Sequence, residues 1–279
     1  MNKIRANQIA KKALQTRMKY LGAKPSEPIC PYNLAEAMGL DVRFIKISSF
    51  EGMYLAEDLV ILIGAERPEG RKVFTCAHEI GHHILEHGTV IDEIIETGSD
   101  KEIEREADFF GSMLLMPESL IRRVGNELKI DFSNPNVEKL YIASRYIGVS
   151  FVGLITHLYL NMKLLSRANY TALKKINLGA IKNALAGERV FGEVFFVGNW
   201  WNDKAVDLCV GDQILTNEKL EIEGKSVSQI TNNSSSYRCL AVEPGLSKIT
   251  KDNGLSYFVR VSRKHFSGMN QYKFEEDVE

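Results

Sequence analysis

Residues 71–87 read RKVFTCAHEIGHHILEH, and this stretch decides the fold of the first half of the chain. Its apolar residues recur at three- and four-residue steps, which predicts a long amphipathic helix. His78 and His82 are four residues apart and therefore share one face of that helix. Two imidazoles at this spacing can bind one metal ion, and Glu79 beside them can take a proton from a water that the ion activates. The stretch therefore predicts a metal site with Glu79 as the catalytic base.

A third metal ligand has to come from another part of the chain. The longer motif HExxHxxGxxH would need glycine at position 85 and histidine at position 88, where the sequence has Leu85 and Gly88. Residues 101–117 (KEIEREADFFGSMLLMP) predict a second amphipathic helix, and Glu104 borders its apolar face. We therefore expect Glu104 to complete the ligand set. Asp108, one turn further on, is expected to orient a ligand imidazole through its free N–H.

The other charged and imidazole side chains near this motif have different expected roles. Glu102 and Glu106 are expected on the solvated face of their helix. His83 and His87 are also four residues apart, but they are turned about 100° from the first pair. The sequence offers no carboxylate partner for a second metal site there. We expect exposed or capping roles for both near the end of the helix, where positive charge is favourable.

The rest of the first half predicts two helices and a small β-sheet. Apolar residues at helical spacing predict a helix over 3–21, and a short one follows over 31–38. Runs rich in β-branched residues predict strands at 42–47, 52–55 and 59–63. Residues 1–124 are therefore expected to form the metal-binding core.

Two further parts are expected after this core, which makes the predicted fold class α+β with three domains. Residues 125–184 read as helical, with a helix-turn-helix-like pair at 132–165 in which Ser150 caps the second helix. Short strand-like runs separated by polar turns predict a β-rich C-terminal domain over 185–279.

The composition is that of an ordinary globular protein. The chain has 279 residues, of which 44% are apolar and 25% charged, and its formal net charge is -1. This balance argues against a nucleic-acid or membrane binder as the whole protein. The first residues hold no continuous apolar run of a secretory signal, so a cytoplasmic location is expected. The four cysteines form no CxxC pair, and we expect reduced, mostly buried thiols.

The metal motif belongs to a wider pattern. It comprises the segment 71–87, EREADFFGSMLLMP at 104–117, ICPYNLAEAMGLDVRF at 29–44 and Glu51-Gly52-Met53. Over roughly the first 165 residues the chain resembles the ImmA/IrrE family of metallopeptidases. The resemblance implies a gluzincin-like fold in which His78, His82 and Glu104 bind the metal and Glu79 is the general base. Zinc is expected, and manganese also suits these ligands.

Members of that family cleave helix-turn-helix repressors and so release genes for stress response or mobile-element transfer. The resemblance therefore implies a zinc-dependent endopeptidase whose protein partner is an XRE-type repressor. Residues 151–161 contain no Lys or Arg, whereas phosphate contacts need positive charge. The helical pair is therefore expected to pack against the peptidase core, and direct DNA binding is not expected.

The substrate site and the function class are less closely defined by the sequence. We expect 52–55 to be an edge strand that pairs with an extended substrate, which makes Gly52, Met53 and Tyr54 candidate substrate-binding residues. Tyr54, Tyr141 and Tyr146 are candidate donors to the oxyanion, and the sequence does not choose among them. Two other functions stay open: a toxin or repressor-binding module of a toxin–antitoxin pair, and a DNA-binding regulator with a vestigial metal site.

Overall fold

The computed structural model describes residues 1–88, 90–91, 100–201, 204–230 and 237–276. The chain forms two compact units, Met1–Lys174 with Ser267–Asn270, and Lys175–Phe266 with Gln271–Glu279. Helices and several small sheets occur together, so the fold class is α+β, as the sequence predicted. The predicted division into residues 1–124, 125–184 and 185–279 stays a prediction.

The elements of the described residues have the following bounds. The helices are α1 (Lys3–Leu21), α2 (Pro31–Ala37), α3 (Glu69–Leu85), α4 (Asp100–Leu115), α5 (Glu118–Glu127), α6 (Val137–Ile147), α7 (Phe151–Leu160), α8 (Arg167–Leu173) and α9 (Leu178–Ala186). The strands are β1 (Asp41–Ile45), β2 (Gly52–Leu55), β3 (Val60–Gly64), β4 (Val90–Ile91), β5 (Val194–Phe196), β6 (Val206–Cys209), β7 (Gln213–Thr216), β8 (Leu220–Glu223), β9 (Val227–Ile230), β10 (Tyr237–Ala241), β11 (Gly245–Lys251), β12 (Ser256–Ser262) and β13 (Gly268–Met269), and a 3-10 turn covers Asn270–Tyr272.

Helix α1 shows how local chemistry sets the boundaries that the sequence predicted. The side chain of Asn2 accepts a hydrogen bond from the Arg5 backbone N–H at 2.9 Å and so satisfies a free donor of the first turn. Gly22 ends the helix in the left-handed region, at φ 59°, and its N–H bonds the Met18 carbonyl. The predicted bounds of 3–21 are confirmed.

The first unit has one five-stranded sheet, in the order β13-β1-β3-β2-β4. β1 pairs parallel with β3, and β2 pairs antiparallel with β3. The expectation that β2 is an edge strand is wrong, because β4 pairs with it at Met53 and Tyr54. At the opposite edge, β13 pairs with Arg43 and Phe44 of β1, although it lies near the other end of the chain.

Helices α3 and α4 approach each other closely because two glycines face across their contact. A Cβ atom on Gly81 of α3 would lie 3.2 Å from the Ala107 Cα of α4. A Cβ atom on Gly111 of α4 would lie 3.2 Å from the His78 backbone N of α3. Both distances are tighter than ordinary van der Waals contact, so a larger residue would hold the helices apart. This close packing brings side chains of α3 and α4 within reach of one another.

The helical pair predicted at 132–165 is present as α6 and α7. The turn between them runs through Gly148, at φ 89°, and the Ser150 hydroxyl accepts a hydrogen bond from the Gly153 N–H at 2.9 Å. The start of α7 lies against the start of α3, since a Cβ atom on Gly70 would come within 2.5 Å of the Ser150 backbone N. The pair therefore packs on the helix that carries His78 and His82.

The second unit is rich in β-strands, as predicted, and holds two four-stranded sheets. Their orders are β5-β7-β10-β9 and β6-β12-β11-β8. Arg238 of β10 is buried, and its guanidinium donates to the Ala186 carbonyl at 2.9 Å and to the Glu188 carboxylate at 2.8 Å. The four cysteines are free thiols, as predicted: Cys76, Cys209 and Cys239 are buried and Cys30 is half-buried.

Within the described residues, no helix combines the length and the apolar character that a membrane crossing requires.

Candidate metal centre

Three side chains from α3 and α4 converge on one point. The Nε2 atoms of His78 and His82 lie 2.9 Å apart. Glu104 places Oε2 3.1 Å from His78 Nε2 and Oε1 3.4 Å from His82 Nε2. Ligand atoms of all three residues lie within 4.8 Å of one another. The two histidines predicted on one helix and the carboxylate predicted on the next helix therefore lie close together.

This arrangement fits a tetrahedral divalent ion. Metal–ligand bonds of about 2.0–2.1 Å at tetrahedral angles separate neighbouring ligand atoms by roughly 3.3 Å. The observed separations of 2.9, 3.1 and 3.4 Å, the last two of which are measured to different oxygens of Glu104, lie within a few tenths of an ångström of that value. Two imidazoles and one carboxylate are also a ligand set of catalytic zinc sites, which leave a fourth position for water or substrate. The cluster is compatible with a metal ion, and the ligand types do not choose between zinc and manganese.

Asp108 holds the outer nitrogen of His78, as the sequence predicted by spacing. His78 Nδ1 lies 3.0 Å from Asp108 Oδ1, and the Asp108 side chain is 60% exposed. Burial alone lowers the pKa of His78, but its hydrogen bonds to Asp108 and Glu104 outweigh this effect and raise the pKa to about 10. Burial alone raises the pKa of Glu104, but hydrogen bonds from His78 and His82 lower the pKa to about 2.

Glu79 lies beneath strand β2 and is 1% exposed. The strand crosses it at Gly52, where a Cβ atom would lie 2.9 Å from Glu79 Oε1 and would overlap the Cγ2 methyl of Thr75. Only a glycine lets the strand backbone come this near to the carboxylate. Glu79 follows His78 in the chain, and its negative charge contributes to the raised pKa of His78. The predicted base is therefore held in a dry position next to the predicted ligands.

The expectation for His87 and Glu106 is wrong, since both side chains are buried rather than solvated. The side chain of His87 is 8% exposed and that of Glu106 is 9% exposed. His87 Nδ1 lies 3.1 Å from His82 Nδ1, and His87 Nε2 lies 3.4 Å from Glu106 Oε2. Arg5 of α1 covers the other side of Glu106, with its Nε 2.6 Å from Oε1 and its second guanidinium nitrogen on Oε2. Packing of α1 on α4 explains the burial, because that face of α4 is not open to water.

The electrostatics of this second group follow from burial and from the Arg5 charge. Burial is the main cause that lowers the pKa of His87, with the nearby His82 adding to it. The hydrogen bond from Arg5 lowers the pKa of Glu106. The group therefore consists of a cation, a carboxylate and a neutral imidazole that contacts a predicted metal ligand.

The three candidate tyrosines are placed in different surroundings. Tyr54 on β2 faces α3, and its hydroxyl lies 2.6 Å from His83 Nδ1. Burial raises the pKa of Tyr54 and lowers the pKa of His83, which favours the neutral form of both side chains. His83 is half-buried by this contact, so its expected exposed role is also corrected. Tyr141 and Tyr146 are buried on α6, where Tyr146 accepts a hydrogen bond from Arg123.

Sequence reasoning missed the contribution of α1 to this region. Arg5 and Glu106 are 101 positions apart in the chain, and neither belongs to a recognisable spacing motif. The cluster of histidines at 78–87 was the available signal for His87. A carboxylate partner for it could not be found within the same helix, because Glu106 comes from the next one.

A family model matches part of this chain, and a solved structure is similar to part of it. Residues 35–152 match the family model of the IrrE N-terminal-like domain, peptidase M78. A solved structure of a Mycobacterium tuberculosis transcriptional regulator is similar over 55% of this chain, with 17% sequence identity and a TM-score of 0.40. The similar region spans 46% of that protein, so this chain covers less than half of its length. No curated protein sequence matches the chain.

Proposed function

We propose that this chain is a metal-dependent endopeptidase, because residues 35–152 match the family model of the IrrE N-terminal-like domain, which supports the ImmA/IrrE resemblance found in the sequence. The observation that carries the proposal is the convergence of His78, His82 and Glu104. The gluzincin-like arrangement, in which one helix supplies two imidazoles and the next helix a carboxylate, is part of this proposal.

In the proposed reaction, each residue of the site has a separate task. A divalent ion bound here would polarise the substrate carbonyl and lower the pKa of a water molecule. Glu79 accepts the proton of that water on a carboxylate oxygen and passes it to the leaving amide nitrogen. Asp108 holds the His78 ring through Nδ1, so that Nε2 stays directed at the cluster. Zinc is the proposed ion, with manganese as the alternative.

The proposed substrate is a helix-turn-helix repressor of the XRE type, whose cleavage would derepress stress or mobile-element genes. This substrate class rests on the sequence resemblance to the ImmA/IrrE family. Gly52, Met53 and Tyr54 stay candidates for contact with the substrate backbone, since β2 passes directly over Glu79.

The test is incubation of the purified chain, loaded with zinc or manganese, with the repressor encoded beside its gene. Cleavage at one peptide bond is expected, and Glu79→Gln should reduce it by at least ~100-fold while metal content is unchanged. Glu102→Gln is the matched control, because Glu102 is an exposed carboxylate on α4 and should leave cleavage unaffected.

Two other results would replace the proposal. Intact repressor bound tightly by both the unmodified chain and Glu79→Gln would favour a repressor-binding module. Growth arrest that depends on Glu79 and is relieved by a neighbouring gene product would favour a toxin. Turnover of the repressor by Glu79→Gln would remove the general-base assignment.

A further inference from the structure

We propose that His87 is a positioning residue that selects the metal-binding tautomer of His82, and that Glu106 and Arg5 hold it in that role. The inference rests on the proposed metal site and adds to it a chain of contacts that starts in α1. The contacts run from His82 Nδ1 to His87 Nδ1 at 3.1 Å, from His87 Nε2 to Glu106 Oε2 at 3.4 Å, and from Glu106 Oε1 to Arg5 Nε at 2.6 Å.

The first step concerns the proton on His82. A neutral imidazole carries one N–H, and a ring nitrogen can bind a metal only when it is not protonated. Nε2 of His82 faces His78 and Glu104, so it is the nitrogen that would bind the ion. The proton of His82 must then lie on Nδ1 and be donated. Among the described residues, His87 Nδ1 lies 3.1 Å away and can accept this proton in a hydrogen bond.

The second step concerns His87, which must present a lone pair on Nδ1. Its proton then lies on Nε2, which faces the Glu106 carboxylate. In the opposite assignment, His87 Nδ1 would donate to His82, and the unprotonated His87 Nε2 would face Glu106 lone pair to lone pair. His82 would also carry its proton on Nε2 and could not bind an ion. The carboxylate of Glu106 therefore favours the one assignment that leaves His82 free for metal.

The third step concerns what keeps Glu106 charged and in place. A carboxylate with a 9% exposed side chain needs a compensating charge, and Arg5 provides two parallel N–H donors. Arg5 lies on α1, before the region 35–152 that matches the peptidase family. Helix α1, which precedes the matched domain, thereby helps to hold His82, a proposed ligand of the metal.

A competing explanation is that these residues only stabilise the packing of α1, α3 and α4. The two roles differ in what a substitution changes. A packing role alters the stability of the metal-free protein, whereas a positioning role alters the metal affinity and the coordination geometry at equal stability. Outer partners of this kind typically contribute about 10- to 100-fold to metal affinity.

The experiment measures zinc affinity by competition with a chromophoric chelator, and the visible absorption spectrum of the cobalt(II)-loaded full chain. His87→Phe keeps a ring of similar size without an acceptor, while His87→Asn keeps an acceptor oxygen near the position of Nδ1. We expect zinc binding about 10- to 100-fold weaker and a changed cobalt spectrum in His87→Phe. His87→Asn should recover most of the affinity and the unmodified spectrum. Thermal unfolding of the metal-free variants establishes that each one is folded.

The outcomes separate this inference from the proposed function. Zinc affinity and cobalt spectrum unchanged in a folded His87→Phe would overturn the inference and leave the proposed function intact. An unmodified chain that binds neither zinc nor cobalt would overturn both. Should His87→Phe not fold, Arg5→Met tests the same chain of contacts from its exposed end. A folded Arg5→Met with weaker zinc binding supports the inference, and one with unchanged affinity and spectrum overturns it.

Discussion

The close passage of strand β2 over α3 predicts the effect of one added methyl group at Gly52. In Gly52→Ala the new Cβ would overlap the Thr75 Cγ2 methyl and lie 2.9 Å from Glu79 Oε1 and 3.3 Å from the Leu62 carbonyl oxygen. The strand or the side chains beneath it must therefore shift. The Thr75 methyl can be removed by a second substitution, Thr75→Ser, whereas the Glu79 contact remains.

The size of the effect follows from these contacts. Forcing an extra carbon into a packed site costs about 1–3 kcal/mol, while replacing glycine by alanine recovers about 0.4–1 kcal/mol by restricting the unfolded chain. Gly52→Ala should therefore destabilise the fold by about 1–2 kcal/mol. Thr75→Ser alone should cost about 1 kcal/mol for the lost buried methyl. In the double variant the overlap is gone. Its loss of stability should therefore be about 1 kcal/mol smaller than the sum of the losses in the two single variants.

Urea unfolding of the four proteins, without substrate, gives the free energies for this double-mutant cycle. The same variants separate stability from catalysis. In ordinary van der Waals contact a Cβ atom lies at least 3.4 Å from its neighbour. Even in the double variant, Glu79 Oε1 must therefore move from 2.9 Å to 3.4 Å away from the new Cβ. Stability should recover in the double variant while repressor cleavage stays reduced by about tenfold or more. Strictly additive free energies would refute the argument from the Thr75 methyl, and full activity in Gly52→Ala would refute the argument from Glu79.

Three further predictions concern other contacts of the first unit. Gly81→Ala should push α4 away from α3 at the Ala107 backbone. Zinc binding should weaken by about tenfold, as measured by chelator competition. An unchanged affinity would show that the helix spacing does not set the ligand geometry. Burial lowers the pKa of His157 to about 4, below its value of about 6.5 in the unfolded chain. As the pH falls, the unfolded state therefore takes up the proton first. The free energy of unfolding should fall by about 3 kcal/mol between pH 6.5 and pH 4. Urea unfolding across that range should show the loss, and a His157→Gln variant with the same pH slope would contradict its origin. Arg17→Met should destabilise the fold by about 3 kcal/mol, because the Leu114 and Lys24 carbonyls lose their buried donor. Lys11→Met, on the exposed side of α1, is the control and should change the free energy of urea unfolding little.

The parts of the site that were predictable lie on regular helices with strong periodicity. His78, His82, Glu104 and Asp108 share faces that follow from 3.6 residues per turn, so spacing alone placed them. The bounds of α1 and the start of α7 after Ser150 followed from caps and glycines that act within a few residues. These are local rules, and they hold without knowledge of the partner element.

The parts that were not predictable depend on which elements meet. Glu106 points outward on an isolated α4, and only the packing of α1 makes it a buried partner of Arg5 and His87. β2 looked like an edge because β4 has only two residues and no pattern of its own. β13 is equally short, and its partner β1 lies more than two hundred positions away. Such pairings are decided by the tertiary fold rather than by local preference.

The placement of β13 in the first sheet has a consequence for how this protein can be cut. The chain passes between the two units at 174/175, at 266/267 and again at 270/271. A single proteolytic nick at the first of these junctions would therefore leave the fragments 1–174 and 175–279 held together through the pairing of β13 with β1. Shortening the gene so that it stops before residue 267 would also strip β1 of its outer neighbour and bare a row of backbone donors and acceptors. Fragments intended to isolate the first unit should splice residues 267–270 back onto it rather than end at residue 174.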